Sequence, residues 1–252
     1  MTDHIIIERA GETGALNVIR FNRPDKKNAI TRAMYAAMAS ALADGEADDT
    51  VRVHVILGTP GAFSSGNDMQ DFMAVAMGAA TGSEVSDFLF ALAGAAKPVI
   101  SGVDGLAIGI GATIHMHCDL TFATPGSRFH TPFVDLALVP EAGSSLLAPA
   151  AIGHQKAFAL LAAGLPFSGE EAERAGLIYK TVPAEELEPA VFAAADHLAS
   201  KPPKALALAR RLVKPDPDLV IARIREEGDL FAAQLKSAEA LAAFHAFMAR
   251  KK

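Results

Sequence analysis

The alternation of apolar and polar positions in HIIIERAGETGALNVIRFNRP predicts two strands around a glycine-containing turn, closed by Pro24. The period then changes. In TRAMYAAMASALADGEADD, Met34, Met38 and Leu42 recur at helical spacing, with Thr31 as the N-cap. VRVHVILGT is alternating and β-branched, a strand that runs into a turn at Pro60-Gly61. Residues 68–95 predict helix in two pieces, broken near GAATGS. KPVISGVDGLAIGIGATIHMHCDLTFAT reads as strand, glycine-rich turn, short helix and strand. FVDLALVPEAGSSLLAPAAIG holds another turn and a helix that begins near Pro140. Ser168 and Glu171 form a capping box for a short helix stopped by Gly176, and LIYKTVP is a strand. Three helical segments follow, at 184–200, 203–213 and 218–250, punctuated by prolines.

Strands and helices therefore alternate up to about residue 182, and the last quarter is helical and Ala-rich. This predicts an α/β core over 1–195 and a helical C-terminal region over 196–252. The helix spacing favours ββα units over strict βαβ crossovers.

Composition narrows the function classes. Hydrophobic residues make up 51% of 252, enough for a sizeable core, yet no apolar run reaches the length of a membrane span. A net charge of −6 and the absence of Trp argue against nucleic-acid binding. The single cysteine, Cys118, excludes an intrachain disulfide and a Cys-cluster metal site. MTDHIIIERA lacks a basic n-region and ARKK is not a peroxisomal address of the S-K-L type, so a cytoplasmic location is expected.

Two glycine-rich turns carry candidate chemistry. GAFSSGNDMQDF has no G-x-S-x-G frame around Ser64 or Ser65 and no G-K-[ST], which disfavours a serine nucleophile and a phosphate loop. Gly109-Ile110-Gly111 opens a helix like a dinucleotide turn, but Ile114 occupies the third glycine position. Both turns can present free backbone N–H groups; converging, they would hold a developing oxyanion. Alternatively, the glycines merely turn the chain. His115 and His117 are two residues apart, share no helix face and fit no metal-ligand spacing, so they read as buried polar residues. Glu141 follows Pro140 in an apolar stretch. It reads either as a carboxylate in the first turn of a helix or as a general base, and burial and the helix terminus would pull its pKa in opposite directions. Asp135 is a second acid or a loop cap.

Three motifs stand in order: NRPDKKNAI, FSSGND and GIGATIHMHCD…FHTPFVDLALVPEAGSS. Together they resemble the crotonase (enoyl-CoA hydratase/isomerase) superfamily over nearly the whole chain. The details are most similar to peroxisomal-type Δ3,Δ2-enoyl-CoA isomerases. The resemblance implies a spiral of ββα units with a helical C-terminal region, assembled as a homotrimer or a dimer of trimers. It implies an acyl-CoA substrate and no other cofactor, with the thioester oxygen held by the N–H groups of Asn67 and Ile110. Lys27, Asn28 and Ala29, with Ser64, Ser65, Gly66 and Asp68, match the positions around CoA and the thioester. Met69, Phe72, Thr113 and Phe133 are candidates for the acyl pocket, or else ordinary core. Lys251 or Lys252 could meet a CoA phosphate, or form a solvated tail.

The positions that match the two hydratase carboxylates are Thr113 and Phe133, neither of which transfers protons as a carboxylate does. The base of the isomerases matches Glu141. An isomerase is therefore expected, against two alternatives: another crotonase reaction (hydration, thioester hydrolysis, C–C cleavage) and a non-catalytic acyl-CoA-binding protein.

Overall fold

The computed structural model describes residues 2–11, 13–76 and 82–249. The chain opens with an antiparallel pair, β1 (Ile5–Ala10) and β2 (Leu16–Phe21), with Ile7 opposite Ile19. In α1 (Arg32–Ala47), Thr31 caps the helix by accepting the Met34 N–H, as its sequence predicts. β3 (Val53–Leu57) and the short β4 (Ala62–Ser64) lead into α2 (Met69–Ala76) and α3 (Glu84–Gly94). Next come β5 (Val99–Val103), β6 (Leu106–Ile108) and a single turn of helix, α4 (Ile110–Thr113). β7 (Leu120–Ala123), β8 (Arg128–His130) and α5 (Ser144–Leu161) follow. Two short strands, β9 (Phe167–Ser168) and β10 (Lys180–Thr181), flank α6 (Gly169–Ala175), which has the expected capping box and the Gly176 stop. The chain ends in α7 (Ala184–Ala199), α8 (Pro203–Val213), α9 (Pro217–Leu235) and α10 (Ala238–Ala249).

The strands form two sheets, ordered β1-β2-β3-β5-β7-β10 and β4-β6-β8-β9. Three successive strand pairs are split alike. β3, β5 and β7 run parallel in the large sheet, while β4, β6 and β8 run parallel in the small one. This is the repeated ββα unit that the helix spacing suggests. Every residue of β3 and β5 is buried, because the large sheet is covered on both faces. On one face Val18, Val55 and Ile100 pack with Leu187, Val191 and Ala195 of α7. On the other, Ile19 and Ile56 meet Met34, Met38 and Leu42 of α1 and Phe88 and Leu92 of α3. The boundary expected between residues 195 and 196 thus falls within α7, the helix that covers the large sheet.

Several expectations change. The helix expected near Pro140 starts at Ser144, because Ala142 and Gly143 have φ of 62° and 71°, outside the helical region. LIYKTVP contributes only Lys180–Thr181 to a sheet. The helix expected over 218–250 is two helices, broken at Lys236 and Ser237. The break expected near GAATGS falls largely on residues 77–81, and the candidates Lys251 and Lys252 fall at the C-terminus; both lie outside the described residues.

Candidate active site

The parallel pairing of β4 with β6 sets two turns side by side at the C-terminal ends of these strands. After β4, Asn67 forms a parallel bridge with Ile30: Ile30 N–H donates to Gly66 O (2.8 Å) and Asp68 N–H to Ile30 O (2.9 Å). In such a bridge the residue between the two bonds directs its own N–H to the opposite side. Asn67 N–H has no acceptor among the described residues. After β6, Ile110 is the first residue of α4, and its N–H is likewise without an acceptor, as helix starts leave their first donors free. Both residues line one cavity.

Glycines permit this approach. Gly66 has φ 91°, and a Cβ there would lie 3.0 Å from Ile108 O. A Cβ on Gly111 would lie 2.9 Å from Ser64 O. The Ser64 hydroxyl is buried, donates to Asn28 O (2.9 Å) and accepts from Gly66 N–H (3.1 Å). A hydroxyl so engaged shapes the turn.

Glu141 reaches the same cavity from the turn before α5. Ser144 N–H donates to Glu141 O, closing a tight turn whose central residues, Ala142 and Gly143, are both left-handed. Three side chains hold this segment. Thr113 Oγ1 donates to Glu141 Oε1 (2.7 Å). His117 Nε2 bonds Ala142 O (2.7 Å); the acceptor is a carbonyl, so Nε2 carries the proton. Glu227, on α9, accepts from Gly143 N–H (2.6 Å) and Ser145 N–H (2.9 Å). Burial pushes the Glu141 carboxyl up to about 8; the Thr113 hydroxyl opposes that shift and the negative Glu227 adds to it. The question left open by the sequence is thus answered in favour of burial. The N-terminus of α5 is occupied by Glu227, while Glu141 lies outside the helix. Burial also lowers His117, to about 4, so its ring is neutral.

The cavity measures about 1050 Å³. Lys27, Ala29, Ser65, Gly66, Asn67, Asp68, Met69, Ile110, Phe133 and Glu141 all line it, as do Asp135, which is exposed, and Phe231 and Phe244 from α9 and α10. The side chains of Asn28, Ser64 and Thr113, the remaining site candidates, are buried, and these residues are not on the cavity wall. Asn28 Nδ2 bonds Thr59 Oγ1 and Ala62 O, and its Oδ1 accepts from Arg23 N–H, so it ties the KKNAI turn to β4. The side chain of Phe72 lies outside the described part. Arg23, Lys26 and Lys27 give one end of the cavity a cationic rim, where Arg23 pairs with Asp68 (2.6 Å). A second cavity of about 300 Å³ meets the first at Asn67, Asp68, Glu141 and Phe231. Its inner wall is apolar, with Ile30, Leu89, Ile224 and Leu235. Among the described residues no cluster of His, Cys, Asp and Glu could hold a metal ion, and no helix is long and apolar enough to cross a membrane.

The family model described as enoyl-CoA hydratase/isomerase matches residues 11–252. The chain belongs to this family. It is similar to enoyl-CoA delta isomerase 2 of Rattus norvegicus, with 32% identity over 244 residues, which cover 94% of this chain and 62% of that protein. The chain thus spans less than two thirds of that relative's length. It is also similar to a probable enoyl-CoA hydratase of Rhizobium meliloti, 29% identical, with 98% of this chain and 96% of that protein covered. Among solved structures, an enoyl-CoA hydratase/isomerase from Pseudoalteromonas atlantica superposes with a TM-score of 0.92 at 33% identity, covering 98% of both chains. The two split sheets with their C-terminal helices are therefore a crotonase fold, and members of the family act on acyl-CoA substrates.

Within this family site, sequence reasoning missed three supports. Tyr35, buried in α1, donates to Asn67 Oδ1 (2.5 Å) and fixes that side chain. Arg23 links the KKNAI turn to Asp68. Glu227 grips the turn after Glu141. The Tyr35 and Glu227 partners lie 32 and 84 residues away in sequence, and local patterning carries no signal at that range.

Proposed function

We propose that this member of the family is a Δ3,Δ2-enoyl-CoA isomerase. The observation that carries the reading is the state of Glu141. It lines the cavity that Asn67 and Ile110 also line, and its side-chain partner there is the Thr113 hydroxyl, not a cation. The other carboxylates on the main cavity wall differ: Asp68 is paired with Arg23, and Asp25 and Asp135 are exposed. In the proposed reaction the ionised Glu141 removes a C2 proton from a 3-enoyl-CoA. Negative charge moves onto the thioester oxygen, held by the Asn67 and Ile110 N–H groups. The C3=C4 pair shifts to C2=C3, and the protonated Glu141 returns its proton to C4. Hydration would need a second acid beside the same carbon atoms; the matching positions carry Thr113, which is committed to Glu141, and Phe133. The cationic rim of Lys26 and Lys27 suits CoA phosphates. Met69 and Phe133 of the main cavity, and the apolar second cavity, suit the acyl chain.

The test is turnover of a 3-enoyl-CoA, followed by the ultraviolet absorbance of the conjugated product. Wild type is expected to isomerise, and Glu141→Gln to lose about 10²–10⁴ in kcat. Ser64→Ala should lose clearly less, since Ser64 only braces its turn. Rapid formation of 3-hydroxyacyl-CoA from a 2-enoyl-CoA, with slow isomerisation, would establish a hydratase instead. Tight acyl-CoA binding with no turnover would support the non-catalytic alternative.

A further inference from the structure

Glu227 is a buried carboxylate, 4% exposed, whose hydrogen-bond partners among the described residues are two backbone N–H groups, Gly143 and Ser145. Such a group is retained in an interior only when donors replace water. Here the donors are the first N–H groups at α5, where the helix end also favours an anion. The contact is close by construction. Gly143 is left-handed, and a Cβ there would lie 3.1 Å from Val220 Cγ1 of α9. Ala142, a non-glycine residue, is left-handed as well, a conformation that persists only where its surroundings impose it. His117 holds the Ala142 carbonyl from one side, and Glu227 holds the next two available N–H groups from the other.

We propose that Glu227 is a positioning residue for Glu141: it clamps the turn over residues 140–145 against α9 and so fixes where the Glu141 carboxylate points. This rests on Glu141 being the reacting carboxylate. The clamp is also a charge. By occupying the start of α5, Glu227 cancels the positive helix end that would favour ionised Glu141 and adds a repulsion of its own. The other groups around Glu141 are the Thr113 hydroxyl from α4, Tyr35 from α1, neutral His117, and two ion pairs along the cavity walls, Arg23–Asp68 and Arg32–Glu84. Arg223 reaches Ser145 Oγ beside the clamp (3.1 Å) and pairs with Glu226.

Two variants of the full chain separate grip from charge. Glu227→Gln keeps the size, removes the charge and, with one acceptor oxygen in place of two, gives up one of the two N–H bonds. Glu227→Asp keeps the charge and shortens the reach. The Glu141 carboxyl is followed in the free protein by infrared difference spectroscopy, with its band assigned by loss in Glu141→Gln, and turnover is measured with a 3-enoyl-CoA. In Glu227→Gln the Glu141 midpoint should move below that of wild type, because the negative Glu227 raises it. In Glu227→Asp it should stay in place. Both variants should lose about ten- to a hundredfold in kcat with little change in KM, the signature of a misaimed base. Undiminished kcat in both variants overturns the proposal whatever the titration does. If Glu227→Gln fails to fold by circular dichroism, undiminished kcat in Glu227→Asp alone overturns it. A wild-type protein that does not isomerise 3-enoyl-CoA sinks the isomerase reading; the titration arm then decides, and a Glu141 midpoint unmoved in Glu227→Gln overturns the coupling.

Discussion

At the scale of single residues, a base with a carboxyl pushed up to about 8 is strong but scarce at neutral pH. In the proposed reaction only the ionised form removes the C2 proton, so kcat/KM for isomerisation should rise with pH and level off above about 8. Thr113 sets part of that value, because its hydroxyl donates to Oε1 and stabilises the ionised form. Thr113→Val removes this donor at nearly constant volume, and the rising limb should move to more alkaline pH. Steady-state rates across the range check it; an acid shift would mean that the hydroxyl favours the protonated carboxyl. Glu141 stood out in the sequence as a carboxylate after Pro140 in an apolar stretch, but it was the match to the isomerases that singled it out as a base. Its electrostatic state was not legible, because Thr113 and Glu227 lie 28 residues before and 86 after it in the chain.

At the scale of elements, the site depends on two turns that follow neighbouring parallel strands. Gly109 combines φ 57° with ψ −122°, a region open essentially to glycine. A Cβ there would meet no atom within 4 Å, so the effect of Gly109→Ala is purely conformational. The variant should swing the Ile110 N–H off the proposed oxyanion position and lose about 10²-fold or more in kcat. Gly61→Ala is the matched control: φ is 80°, space is open, and the residue lies off the cavity wall. Its stability should fall by about 1–3 kcal/mol with kcat retained. Equal losses of activity in the two variants would show that backbone strain anywhere in this sheet disables the enzyme, and would remove the special role of the Ile110 N–H. The glycine spacing made both turns visible in the sequence. The strands β4 and β6, which place the turns, have three residues each, too short for periodicity to register.

At the scale of the whole molecule, the α/β core and its helical extension were legible from the switch between strand and helix periods, but the division of each strand pair between two sheets was not. That division depends on pairings such as β4 with β6, which are not local. It creates the enclosed space at the strand ends, and the enclosure has a thermodynamic consequence. In the folded protein Glu141 holds its proton up to about pH 8, whereas in the unfolded chain it releases it near the usual 4.5. Between these values the folded state binds more protons, so this group's contribution to stability is fully present below about pH 4.5 and is lost progressively as pH rises to about 8. The loss has a limiting slope of about 1.4 kcal/mol per pH unit. Glu141→Gln does not titrate, and its Oε1 can still accept the Thr113 hydroxyl. The variant should therefore match wild type in stability at low pH and exceed it increasingly between about pH 4.5 and 8, with the gap constant above. Urea unfolding of both proteins at several pH values measures the difference, in which all other titrating groups cancel. A gap that does not change with pH would mean that Glu141 is as well solvated in the folded protein as in the unfolded chain. It would also remove the reason to expect an alkaline activity limb. A growing gap would show that the fold holds its base at the expense of stability, which is expected when a site must keep a reactive carboxylate away from water.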